Sequence, residues 1–168
     1  ELMADIETAR GHRYQALLPL MRYMLTASDN GRQAAAERLM RLWRRGGLGI
    51  DILSKREAEE KYSEMMEKRI DAICDSIRPK GETSADKIDA LAMRTDSLLA
   101  VMRETGEENL DFWQVEYADF LIEIHARGFT RPMIYFIMEP AYRAECLAWL
   151  SENAGYFLEF ETWVNGRL

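Results

Sequence analysis

Apolar positions recur at spacings of three and four along most of this chain, as in helices that turn one face inward. Tyr14, Leu17, Leu18, Met21, Met24 and Leu25 keep that rhythm, with Pro19 inside the run as a kink or a new first turn. Ser28-Asp29-Asn30-Gly31 reads as a turn and cap, and Ala35, Ala36, Leu39, Met40 and Trp43 form the next stripe. Gly46-Gly47 is placed to stop it.

A long helix is predicted over 54–78. Ser54 and Glu57 have capping-box spacing, each side chain satisfying a backbone N–H that the first turn leaves free. Tyr62, Met66, Ile70, Ile73 and Ile77 then line one face. Residues 79–83 (Pro-Lys-Gly-Glu-Thr) read as a mobile loop. From Ser84, Ile88, Leu91, Thr95, Leu98 and Met102 give a heptad-like seam that Gly106 ends. Over 108–127, Leu110, Trp113, Tyr117, Phe120, Leu121 and Ile124 share a side, and Gly128 terminates the run. Short connections make these three helices antiparallel neighbours.

The last third resists periodicity. Met133–Met138 and Tyr156–Val164 suit helices or two short paired strands, and we read both as helices. Pro140 is placed to begin a helix that turns Tyr142, Cys146, Trp149 and Leu150 inward. The whole, residues 1–168, is expected to be one all-α bundle-like domain of six to eight helices. Its antiparallel scaffold spans 54–127, and the C-terminal third is aromatic-rich and helical. Met3 is a candidate natural start with Glu1-Leu2 a cloning remnant, unless the chain is a piece of something longer.

Composition adds constraints. The 168 residues are 48% hydrophobic and 30% charged, which excludes a disordered tail or a collagen-like repeat. Cys74 and Cys146 stand apart, so no disulfide framework is expected and a reducing, cytoplasmic setting is the simpler reading. No apolar run approaches the ~20 residues of a membrane helix. Charge runs from +3 over residues 1–50 to −6 over 51–111 and −4 over 112–168, and an acidic body repels phosphate.

Three groups carry candidate chemistry. Glu116, Asp119 and Glu123 fall on one edge of the predicted helix 108–127, beside Phe112, and hard oxygen donors suit Mg²⁺ or Mn²⁺. Val115, Ala118 and Ile122 make a second apolar strip on that helix. Glu116-Tyr-Ala-Asp119 is an ExxD motif, with Glu57, Glu60 and Glu64 on an earlier helix. The arrangement resembles the metal-binding acids of the all-α nucleotide pyrophosphohydrolases. That family pairs an EExxE helix with an ExxD helix, whereas Glu59-Glu60 here is followed by Ser63. The resemblance implies a metal-dependent hydrolase using Glu116, Asp119 and Glu123.

Arg38, Arg41 and Arg45 share a face with Arg44 near it, a surface for phosphates or an acidic partner. His125 reads as an interaction with the last helical carbonyls, and His12 has no evident partner. Thirteen of seventeen aromatics lie in 112–168, so an exposed apolar surface involving Tyr142, Trp149, Tyr156 and Trp163 is expected there. With no complete catalytic signature, the leading expectation is a non-enzymatic protein-interaction domain: an adaptor, chaperone-like or inhibitor protein. It takes a protein partner or a second copy through the heptad-like seams, without catalytic residues, cofactor, membrane or nucleic acid. The metal-dependent hydrolase is the first alternative, and nucleic-acid binding through Arg38, Arg41 and Arg45 the second.

Overall fold

A computed structural model describes residues 1–44, 57–105 and 113–167. Among these the chain is all-helical, with nine α-helices and no strand. They are α1 (Leu2–Ala9), α2 (Arg13–Thr26), α3 (Asp29–Leu42), α4 (Glu57–Ser76), α5 (Ser84–Thr105), α6 (Asp119–Ala126), α7 (Thr130–Met138), α8 (Arg143–Glu152) and α9 (Ala154–Asn165). A π-helical turn, Gln114–Ala118, leads into α6. The count exceeds the expected six to eight because Leu2–Ala9, too short to show a period, is itself a helix. The Ser54–Glu57 box, Gly46-Gly47, Arg45, Gly106, Leu110 and Phe112 lie outside the described residues, as do the side chains of Glu57, Glu60 and Val115.

α2 is central. Arg13, Tyr14, Ala16, Leu17, Leu18, Pro19, Leu20, Met21, Met24 and Leu25 are all buried. A helix apolar on every side must be covered on every side, and α1, α3, α4, α7 and the π-helical turn cover it. Pro19 neither ends the helix nor restarts it. The surrounding core holds the chain's geometry where one intrahelical hydrogen bond is lost.

α4 and α5 are antiparallel. Tyr62, near the start of α4, has its hydroxyl 3.2 Å from that of Thr105 at the end of α5, and Arg94 Nε donates to the Ile77 carbonyl (2.9 Å) just past α4. Thr83 caps α5, its hydroxyl accepting from the Asp86 N–H at 3.1 Å. The heptad-like seam Ile88, Leu91, Thr95, Leu98 and Met102 is entirely buried, as are Tyr62, Met66, Ile70 and Ile73. These seams therefore pack within the chain, against α4, α6, α7 and α8, and are not available to a second copy.

Among its described residues the C-terminal third is built of helices joined by short turns, without a strand. Pro140 does not begin α8; residues 139–142 form a turn, with the Ala141 and Tyr142 N–H groups donating to the Met138 carbonyl at 3.1 Å, and the helix starts at Arg143. α8 buries only Cys146, and α9 only Phe160 and Val164. No helix among the described residues is long and apolar enough to cross a membrane.

Candidate interaction surface on the α6–α7 corner and α9

Gly128 builds the corner. Its φ of +77° suits a residue without Cβ. The Gly128 N–H donates to the His125 carbonyl (2.8 Å) and the Phe129 N–H to the Ile124 carbonyl (2.8 Å), the paired bonds of a Schellman stop. The stop aims Phe129 at α9, where it meets Tyr156, Phe160 and Trp163 with ring centroids 6.0, 5.9 and 6.0 Å away. The Tyr156 hydroxyl donates to the Gly128 carbonyl and fastens α9 over the corner.

Trp163 is half-buried, stacked with one ring and tilted against another. Phe120 is parallel to it at 5.7 Å, and the Arg22 guanidinium covers Phe120 at 3.8 Å. Arg127 and Arg167 stand 5.1 and 5.7 Å from the Trp163 ring, positions that favour cation–π attraction. Both also donate to Glu123 Oε1, at 3.3 and 2.8 Å. Beside this ladder runs an open groove of about 530 Å³ lined by Arg127, Phe129, Leu158, Glu159, Thr162 and Trp163. Leu158, one of the lining residues, is 60% exposed.

Trp149 and Tyr156 continue the aromatic belt, their rings 6.5 Å apart. Trp149 also stacks on Tyr135 at 4.3 Å. Tyr142 is half-buried at the N-terminus of α8, and no ring contact joins it to the others among the described residues. The structure thus unites Trp149, Tyr156 and Trp163 and leaves Tyr142 apart. Phe129, Arg127 and Leu158 were missed in the sequence. Leu158 had a usable signal, since at 100° per residue it lies opposite the buried Phe160 on α9.

Behind Trp149, Asp89 Oδ1 accepts from the Tyr135 hydroxyl at 2.5 Å and from Arg131. Burial pushes the Asp89 carboxyl upward, but the Tyr135 and Arg131 hydrogen bonds and the Arg131 charge outweigh it and hold the group below the usual carboxylate range. Burial, then the Asp89 bond and charge, raise Tyr135. A depressed folded value means the carboxylate stabilises the fold fully above the unfolded pKa of about 3.9 and loses that contribution as pH falls through the folded value. The melting-temperature gap between wild type and Asp89→Asn is therefore open at pH 6 and narrows below about pH 4. A gap that widens on acidification would contradict this pairing.

The acidic edge is differently arranged from the even 100° spacing expected. The i→i+5 pairing of the π-helical turn widens the backbone at Glu116, turning it about the axis relative to Asp119 and Glu123 on α6. Glu116 and Asp119 are exposed, while Glu123 is held by two arginines. No cluster of three metal-ligating side chains occurs among the described residues. On the basic face, Arg38 pairs with Asp5 of α1 and Arg41 is exposed.

Both histidines carry a carboxylate at Nδ1. His12 meets the buried Glu7, and His125 meets Asp96 across α5 rather than only its own helix end, each at 2.8 Å. Both cysteines are buried and free, and burial pushes the Cys146 thiol up to about 12, far from nucleophilic use. Compared with protein-family models, curated proteins and solved structures, the chain matches none.

Proposed function

We propose that this chain is a non-enzymatic protein-interaction domain of the adaptor, chaperone-like or inhibitor kind, which docks protein through the groove between the α6–α7 corner and α9. The observation that carries this reading is Leu158, a large apolar side chain left mostly in water in a groove that Trp163 and Phe129 also line. Aromatic anchors beside a polar rim are the usual anatomy of a contact surface. The unactivated thiols agree with a role other than nucleophilic catalysis, and with a reducing, cytoplasmic setting. The bundle-like packing serves as a rigid platform, leaving α8 and α9 as the outer layer.

A photoreactive benzophenone side chain placed at Thr162, an exposed groove residue, tests the reading in living cells. Discrete protein adducts are expected on illumination, and Leu158→Glu abolishes them. Illumination that yields no discrete adduct overturns it.

A further inference from the structure

We infer that the groove takes a second copy of this chain in a two-fold, reciprocal contact. The inference rests on the interaction reading above and names the occupant.

The argument is charge complementarity within one groove. Arg127, at the α6–α7 corner, is the one cationic residue that lines the groove, and it shares the Glu123 carboxylate with Arg167 rather than holding it alone. Glu159, on α9, lines the same groove with no ion pair among the described residues. A two-fold axis makes residue i of one copy meet residue j of the other, while j meets i. Arg127 of each copy then faces Glu159 of the other. Leu158, adjacent to Glu159 in the chain, enters the partner's groove between Phe129 and Trp163. Knob, hole and both charges lie on one surface, as a self-complementary contact requires.

Size sets the strength. A standard interface covers about 800 Å² per partner, under a tenth of this chain's 9306 Å². The groove must therefore be joined by the outer face of α9, where Ala154, Glu161 and Thr162 are exposed. A small contact with a charged rim places dissociation in the range of about 10–100 µM.

Sedimentation equilibrium of the full chain between about 10 µM and 1 mM reads this directly. The weight-average mass of the wild type rises from 19.5 kDa toward twice that value. Arg127→Glu and Glu159→Arg each hold the mass at the monomer. An equimolar mixture of those two variants restores the rise, because both reciprocal contacts then join opposite charges, and so does the double variant. Glu159→Arg changes an exposed residue, and Leu158→Glu, also at the surface, gives an independent monomeric control should Arg127→Glu disturb the corner. A wild type that stays monomeric, or single variants that still associate, overturns the inference. If the wild type is monomeric but Thr162 crosslinks to proteins of other masses, self-association fails and the interaction reading stands. If neither association nor adducts appear, both fail.

Discussion

Arg13→Met lowers the melting temperature by about 10–15 °C, which corresponds to about 3–5 kcal/mol in a chain of this length. Arg13 is only 2% exposed, yet it carries a full charge at the first position of the central helix. Its Nε donates to Glu67 Oε2 at 2.7 Å, and Nη1 donates to Asp71 Oδ1 and to the Arg44 carbonyl, each at 2.9 Å. Glu67 works in both directions, since its Oε1 also accepts the Tyr14 N–H at 2.9 Å. His12, which precedes the helix, offers no side-chain cap. The carboxylate from α4 therefore caps α2 from outside and meets the positive end of its dipole.

Removing the guanidinium leaves two acidic groups and two carbonyls, those of Arg44 and Glu67, at a half-buried junction of three segments, the situation in which breaking an ion pair is most costly. Lys68→Gln is the contrast. Its partner Glu64 is on the solvent face of the same helix, with both side chains at least two-thirds exposed. That loss stays within about 0.5 kcal/mol. A denaturation series in which Arg13→Met and Lys68→Gln behave alike would remove the ion-pair network from the account of this fold.

None of the Arg13 network is legible in the sequence, because Arg13 and Glu67 are joined only by the packing of α2 against α4. The stripes fared differently. Tyr14 to Leu25, Ile88 to Met102 and Tyr62 to Ile73 are buried where their spacing places them, because burial of an apolar face is the same physics that creates the periodicity. Gly128 likewise stops α6, since a terminating glycine needs only local geometry. Pro19 starts no new helix, because surrounding side chains can hold α2 together through a lost hydrogen bond. No local signal announces the π-helical turn that carries Glu116.

The candidate surface was half-legible for a related reason. Of the chain's four tryptophans, Trp113, Trp149 and Trp163 are each partly exposed while Trp43 is buried. Aromatic surplus can be counted in a sequence. The floor of a groove cannot, because Phe129 reaches Trp163 only after the Gly128 corner folds the chain back onto α9. The heptad-like seam shows the converse: a rhythm suited to self-association is spent inside the monomer, so any contact between copies has to use another face.

Phe160→Ala destabilises the chain by about 3–5 kcal/mol and makes α9 the first helix to open. Phe160 is 1% exposed and touches three other rings, Phe129, Phe157 and Phe136, at centroid distances of 5.9, 6.1 and 6.3 Å. Val164 is the only other buried side chain of α9. A helix of twelve residues does not hold itself in water, so its order comes from that anchorage. Hydrogen exchange in the variant is expected to show Ala154–Asn165 exchanging well before Arg13–Thr26, through openings that expose little other surface. Coincident exchange of the two helices would mean that α9 opens only with the whole chain. The contrast with Leu158→Glu separates the two faces of one helix: that change leaves stability within about 0.5 kcal/mol because the side chain is already in water. Phe160→Ala is expected to abolish the proposed association by loosening the helix that lines the groove, and Leu158→Glu to abolish it with α9 fully protected. Loss of association with protection retained belongs to contact chemistry at the groove, and loss with protection gone belongs to the core beneath it.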